Sequence, residues 1–398
     1  MPAVSIVRVA DDCVEDAVRR AVALAGGLQI APGATVLLKP NVVSPSPSGS
    51  GKVTDARVTE AVARIVLEEN PGRVVIGEGS SVGYDFPGRV DSLHCLQASG
   101  TADVARQLGL ELVDLNRDAR VAVQVADALA METFAVARTA WEAEAIVDLP
   151  VVKTHVRTGI TCGLKNMKGV LPGDEKKRTH RLGLDRAIVD LNRAMRPHFT
   201  VVDAIVGAQG THSAPEDRVP LGCIVAGADV VAVDAACAAI MGFDGAQILH
   251  VRLAAEAGLG VADLRQIDVR GEAIARVTRR FLPFQEAARE RFGAATIVEQ
   301  GACTGCMGEM VSTFIYLRRA GFGDRLAGLA LILGTPERVP PLPGTPVIVG
   351  QCARAYRDLG VYVPGCPPHG TAITDGACQA LGIDAEAVHR AIAELHSL

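Results

Sequence analysis

Aromatic residues make up only 4% of the 398-residue chain, with a single tryptophan, so large rings cannot fill its interior. Hydrophobic residues reach 49%, and the core must therefore be assembled from Ala, Val, Leu and Ile, a composition that suits an α/β protein. Positive charge is not in excess either. Lys and Arg number 40 against 45 Asp and Glu, a net charge of −5 that argues against a general nucleic-acid or anionic-membrane binder and makes any anion site local. No stretch approaches ~18 uncharged apolar residues, and the opening MPAVSIVRVADDC lacks a basic region followed by a long apolar run. These absences read as a soluble, cytoplasmic protein. Ten cysteines are too sparse for a secreted disulfide framework, yet ample for a metal or redox site in a reducing compartment.

What is present is alternation. Short Val- and Ile-rich runs at 35–38, 73–76, 145–149, 200–202 and 221–225 predict strands, separated by Ala-rich amphipathic stretches that predict helices over 55–69 and 229–241. The expected fold class is α/β, with a mostly parallel sheet flanked by helices. Loops are expected at SPSPSGSG (44–51), QGTHSAPEDRVP (209–220) and 336–346. A charged segment around FLPFQEAARERFG suggests a helical linker at 276–299, between a first domain at 1–275 and a smaller α/β domain at 300–398. In that tail, 329–333 and 347–349 look like strands, and 371–381 and 384–396 look like helices.

The tail carries CTGC (Cys303 to Cys306), then Cys352 after PVIVGQ and Cys366 after GVYVPG. A C-x-x-C pair can present both thiolates to one metal centre, Gly305 permitting the turn, and two further cysteines complete a four-thiolate set. Such a set suits structural zinc or an iron–sulfur cluster. Zinc sites usually present two short knuckles, whereas here the third and fourth candidates are singletons, each after a predicted strand. Metal-free buried cysteines are the alternative. Cys13, Cys95, Cys162, Cys223, Cys237 and Cys378 lack metal spacing and read as small core residues, with Cys162 set apart by its unusual segment.

The order GACTGCMGEM, strand-QCA, strand-PGCPPH resembles the cluster-binding pattern of nickel–iron hydrogenase small subunits and the related subunit of respiratory complex I. That resemblance implies a flavodoxin-like domain holding one 4Fe-4S cluster through Cys303, Cys306, Cys352 and Cys366.

A second concentration of chemistry lies in LPVVKTHVRTGITCGLKNMKGVLPGDEKKRTHR, residues 149–181. It follows a predicted buried strand, at the carboxyl edge where open α/β sheets place ligands. Lys153, Lys165, Lys168 and His180 suggest an anionic carboxylate or phosphate substrate, with His155 available for proton transfer. Lys176, Lys177 and Arg178 read as a solvated basic loop. Lys39 and Asn41, Glu78 and Asp203 follow other predicted strands and are expected to share the cleft, with Glu78 joining His155 and Lys165 as a catalytic candidate.

LLKPN, GEGSS, the 150–173 segment, AIVDLN, VVDAIVG and AGADVVAVDA together resemble the domain of unknown function 362 family, which implies no particular activity. His155, Gly159, Gly163, Lys165 and the Leu171–Gly173 turn are remotely similar to the lactate racemase segment that holds a nickel-pincer nucleotide, which would give His155 and Lys165 those roles. The leading expectation is an oxygen-sensitive iron–sulfur oxidoreductase delivering electrons to an anionic small molecule or second cofactor. A racemase- or lyase-type enzyme with a structural cluster and a non-enzymatic electron-transfer protein are the alternatives. An electron-donor protein and a homodimer are the expected partners.

Overall fold

The computed structural model describes residues 1–81, 91–302 and 304–396. It divides into two compact units, Met1–Pro283 and Phe284–Leu398.

In the first unit the strands are β1 (Ala3–Arg8), β2 (Thr35–Pro40), β3 (Arg73–Glu78), β4 (Glu111–Asp114), β5 (Arg120–Gln124), β6 (Thr133–Ala137), β7 (Ala145–Leu149), β8 (Val151–His155), β9 (Gly159–Thr161), β10 (Phe199–Ala208), β11 (Arg218–Gly227) and β12 (Asp268–Gly271). Ten of them form one sheet in the order β12-β1-β11-β10-β7-β2-β3-β4, with β8 on β10 and β9 on β8; β5 and β6 make a separate hairpin. The run from β10 through β7, β2 and β3 to β4 is parallel, while β11 is antiparallel to both neighbours.

This mixed, largely parallel α/β sheet is buried on both faces, which explains the near-continuous apolar strands. Val36 and Leu38 pack on one side with helices Val14–Leu24 and Ala56–Glu68, while Leu37 and Val75 pack on the other with Met167, Ala187 and Leu191. Helix Val230–Ile240 is apolar all round but for the buried Asp234 and is almost wholly buried against Val202 and Val225, and Asp229 caps it by accepting from the Val231 and Ala232 amides. The strand expected at 200–202 is longer, Phe199–Ala208, because β10 pairs with β11 across a register shift between Ala204 and Val206 that apolar runs alone do not reveal.

The second unit contains β13 (Thr296–Gln300), β14 (Ala330–Gly334), β15 (Pro346–Val349) and β16 (Val361–Val363), all parallel and in sequence order. Helices Thr304–Arg319, Gly370–Leu381 and Ala385–His396 accompany them. Residues 276–283 belong to the first unit, where the Arg279 and Phe281 amides donate to the Ile240 and Met241 carbonyls. No helix among the described residues is long and apolar enough to cross a membrane.

Candidate functional site

The carboxyl ends of β2, β3 and β7 and the β8–β9 hairpin bring the basic segment together with residues from distant loops. Its floor is a buried polar network. The fully buried Lys39 Nζ donates to Glu78 Oε2 at 2.9 Å, the Pro40 carbonyl at 2.9 Å and Asn166 Oδ1 at 3.2 Å. Glu78 also accepts from the Val42 and Gly79 amides at 3.0 and 2.8 Å. Asn41 Nδ2 donates to Asn166 Oδ1 at 2.6 Å, and Asn166 Nδ2 donates to Asp148 Oδ1 at 2.7 Å. Burial pushes the Asp148 carboxyl well above its usual range, against the opposing pull of Lys39 and Asn166. Gly169 closes this floor, since a Cβ there would stand 1.9 Å from Glu78 Oε1 and 2.6 Å from Lys39 Nζ.

Above the floor the cations gather. Lys153 Nζ donates to Asn41 Oδ1 and the Lys52 carbonyl, both at 2.6 Å, and burial, followed by Lys165, pushes its basicity well down. Lys153 pairs with Thr161 across the β8–β9 hairpin, and Thr161 Oγ1 in turn accepts from Lys165 Nζ at 3.3 Å, so the hairpin sets the two lysines side by side. Burial lowers Lys165 to about 8. Lys168 Nζ lies 3.1 Å from His180 Nε2.

His155 ends β8. Its Nδ1 accepts from the Arg157 and Thr158 amides at 3.3 and 3.2 Å, which leaves the neutral ring's hydrogen on Nε2. Burial holds the ring well below its usual pKa, and Lys165, His180, Lys168 and His212 add to that. His180 is likewise pushed down by burial and then by Lys168. Asp203 sits in β10, accepting from the Asp55 and Ile205 amides at 2.8 and 3.0 Å, and burial raises it to about 7.

Four contributors escape the sequence patterns. His212 lies in the 209–217 loop with a left-handed φ of 57°, 3.1 Å from Thr154 Oγ1, and burial lowers it to about 3. Lys52 comes from the SPSPSGSG loop region, and burial lowers it too. Asn166 and Asp148 look like a helix residue and a core-strand residue. Lys176 corrects the expected solvated loop: Gly173–Leu182 is a helix, and Lys176 is buried, donating to the Gly79 carbonyl at 2.8 Å and to Asn116 Oδ1. A lysine in a charged helix turns inward here because backbone carbonyls at the end of β3 receive it.

Asp234, buried on helix Val230–Ile240, fixes the start of the turn bearing Lys165 and Asn166 by accepting from the Gly163 and Leu164 amides at 2.7 and 3.1 Å. Burial raises Asp234 to about 6. Beside it, Cys162 is buried with its thiol pushed up by burial and by a hydrogen bond with Cys237. Cys95, Cys223, Cys237 and Cys378 are buried as expected, whereas Cys13 is exposed, because it stands before helix Val14–Leu24 rather than on its packed face.

In the second unit Cys352 and Cys366 follow the adjacent parallel strands β15 and β16, in loops tied together by Gly350 N to the Val363 carbonyl and Gln351 N to the Gly365 carbonyl, each 2.9 Å. Cys306 stands in the first turn of helix Thr304–Arg319, not in an open turn around Gly305. Its sulfur reaches these loops: a Cβ on Gly350, whose φ is +88°, would stand 3.0 Å from Cys306 Sγ and 3.5 Å from the Gly365 carbonyl oxygen. Cys303 lies outside the described residues. Among those described, no three His, Cys, Asp or Glu side chains gather as a metal-ion ligand set.

Comparison with known proteins adds a family. The family described as Domain of unknown function (DUF362) matches residues 36–239. Thylakoid-associated protein sll1697 of Synechocystis sp. is 27% identical over 240 residues, covering 58% of this chain and 70% of that protein. Lactate racemase apoprotein from Thermoanaerobacterium thermosaccharolyticum aligns with a TM-score of 0.40 and 13% identity, over 83% of this chain and 69% of that one. A Thermotoga maritima protein aligns with a TM-score of 0.38 and 15% identity, over 57% of this chain and 58% of that one.

Proposed function

Because the chain belongs to the family described as Domain of unknown function (DUF362), which carries no assigned activity, we propose a function from its own chemistry: an iron–sulfur oxidoreductase acting on an anionic small molecule in the lysine–histidine cleft. The observation that supports the anionic ligand is the crowding of Lys153, Lys165, Lys168, His155 and His180 near one hairpin, with burial depressing the basicity of Lys153 and Lys165. Lysines so placed repel one another and lose hydration, a cost that an anion bound among them relieves.

Roles follow from the hydrogen bonds. His155, with Nδ1 already accepting, offers Nε2–H to a ligand oxygen as a donor rather than a base. Lys165, at about 8, is poised to give or take a proton near neutral pH. Lys168 and His180 hold the anionic group. Lys39, Asn41 and Glu78 form the floor, and Asp203 steadies the loop before helix Ala56–Glu68 through the Asp55 amide.

In the second unit a 4Fe-4S cluster of a flavodoxin-like domain would be held by Cys303 and by the soft sulfur of Cys306, in the first turn of its helix, and of Cys352 and Cys366, on loops tied by two backbone hydrogen bonds; the three described sulfurs would have to draw together to ligate it. When bound, such a cluster supplies single electrons, and a donor protein would reload it. A second function, proton transfer alone as in a racemase or lyase, is favoured by Lys165, which burial lowers to about 8.

Anaerobic purification with iron and sulfide analysis, followed by EPR after dithionite, tests the proposal. Iron and sulfide in equal amount with a reduced-cluster signal support it, and one zinc with no sulfide refutes it. Lys165→Ala should abolish anion binding and leave the EPR signal intact. Retained iron and signal with unaltered electron flow in a Cys366→Ser variant would contradict the ligand assignment.

A further inference from the structure

One rung of the main sheet is polar. Lys39 on β2, Asp148 on β7 and Thr200 on β10 are in register with one another, so they stand on the same face, and all three are fully buried. Lys39 is committed elsewhere, its three N–H groups donating to Glu78, the Pro40 carbonyl and Asn166 Oδ1. Asp148 Oδ1 accepts from Asn166 Nδ2 at 2.7 Å, but among the described residues Asp148 Oδ2 and Thr200 Oγ1 have no hydrogen-bond partner. An ionised carboxylate so placed would leave a charged oxygen buried without a donor, at a cost that a proton on Oδ2 removes. Burial, the largest influence on this acid, acts the same way against the pull of Lys39 and Asn166.

From Asp148 a chain of hydrogen bonds runs to the cleft, and each amide in it can sit only one way round. Asn41 must turn its oxygen to Lys153 Nζ, a donor, at 2.6 Å, which sends its nitrogen to Asn166 Oδ1, also at 2.6 Å. Asn166 receives Asn41 and Lys39 on its oxygen, which sends its nitrogen to the Lys39 carbonyl at 3.2 Å and to Asp148. The chain starts on a donor, Lys153, and needs an acceptor at its end, which Asp148 Oδ1 supplies. Lys153 is 5% exposed, and its ammonium gives a second N–H to the Lys52 carbonyl at 2.6 Å. With two of its N–H groups fixed, the tetrahedral nitrogen has one direction left for a ligand.

We infer that Asp148 is a positioning residue of the cleft: protonated on Oδ2, it anchors Asn166 and Asn41 and through them fixes the direction in which Lys153 meets an anionic ligand. This rests on the anionic ligand proposed above and adds how the site is aimed. The effect is one of geometry rather than charge. A neutral acid gives Lys153 no counterion, so the ligand supplies the negative charge, and the relay keeps Lys153 from turning away from it.

Infrared difference spectroscopy of the full-length protein at pH 7 reads the proton directly. Wild type should show the carbonyl stretch of a protonated carboxyl that Asp148→Asn lacks. An asparagine keeps an oxygen for Asn166, places a donor where the proton was and carries no charge, so Asp148→Asn should bind inorganic phosphate as wild type does in equilibrium dialysis. Asp148→Leu removes the acceptor that stands three hydrogen bonds from Lys153, and it should weaken phosphate binding by at least about tenfold, since a misplaced binding group costs that much or more. In wild type, saturating phosphate should shift the side-chain amide resonances of both Asn41 and Asn166 in ¹⁵N NMR, a coupling that an aspartate serving only the fold does not require.

Absence of an Asp148-dependent band overturns the inference, and so does an Asp148→Asn affinity changed about tenfold in either direction, the size of effect that removing an ionised group near the site would give. Asn166 resonances unmoved by phosphate overturn the coupling, and that result stands even if Asp148→Leu does not fold. A folded Asp148→Leu variant with normal phosphate affinity overturns it equally. No phosphate binding by wild type overturns the anionic-cleft reading itself, whatever the infrared band shows.

Discussion

Replacing Lys39 with methionine tests how the floor of the cleft is held. Lys39 is fully buried, and its ammonium makes three hydrogen bonds, one of them the 2.9 Å ion pair with the equally enclosed Glu78. Methionine keeps most of the volume and removes the charge, which leaves Glu78 facing only the Val42 and Gly79 amides. Breaking one partner from a buried pair costs about 3–5 kcal/mol, because the surviving charge has lost its counterion in a low-dielectric site. The two backbone donors offset part of that, so we expect the lower end, about 3 kcal/mol. Adding Glu78→Gln should recover at least about 1 kcal/mol of it, since an amide no longer needs the counterion. Urea unfolding followed by a probe in the first unit measures both variants, with the second unit's transition tracked separately because two units need not unfold together. A loss under about 1 kcal/mol for Lys39→Met, or a double variant less stable than the single, would refute the picture of a mutually dependent buried pair. Gly169→Ala perturbs the same atoms without removing either charge, because its methyl would collide with Glu78 Oε1 and crowd Lys39 Nζ.

Phosphate affinity should fall as pH rises through about 8, because Lys165 is cationic below that value and loses its charge above it. Calorimetric titrations from pH 7 to 9 would show the decline in wild type and a flatter profile in Lys165→Arg. Asp203 and Asp234, raised to about 7 and about 6, bind protons more tightly folded than unfolded. Their contribution to stability is full below about pH 4 and is lost as pH rises through those values, so thermal stability of the first unit should decline from pH 4 to 7 and decline less in Asp203→Asn. Asp234→Ala removes the acceptor of the Gly163 and Leu164 amides and should cost about 1–3 kcal/mol with weaker anion binding, since the turn carrying Lys165 loosens. A variant with unchanged phosphate affinity would detach that aspartate from the site.

How much of the fold and the cleft is legible in the sequence depends on how local each signal is. Strands β2, β3 and β7 are apolar runs buried on both faces, and helix Val230–Ile240 is apolar but for Asp234, so composition alone locates them. The β8–β9 hairpin is written in KTHVRTGIT, where polar residues outnumber apolar ones, and no alternation marks it as strand. The basic segment is visible as a cluster because its lysines lie close together along the chain. His212 and Lys52 are not, since they reach β8 from loops far apart in the chain, His212 at Thr154 and Lys52 through its carbonyl at Lys153. Lys176 looks like a surface charge because its helix is charged throughout, and its destination, the carbonyls at the end of β3, is a tertiary fact. Gly169 and Gly350 show the reverse: each is an ordinary glycine in sequence, yet each leaves room for a neighbour, Glu78 in one case and the Cys306 sulfur in the other.

In the proposed function the cleft holds lysines at depressed basicity until an anion arrives. Protein labelled with ¹³C at lysine Cε, with the Lys165 resonance assigned by its loss in Lys165→Arg, reports this by NMR titration. The ligand-free protein should give Lys165 a pKa of about 8, moving upward by at least about one unit, or roughly tenfold in proton affinity, when phosphate is added. A value near that of an ordinary exposed lysine, unmoved by phosphate, would contradict it.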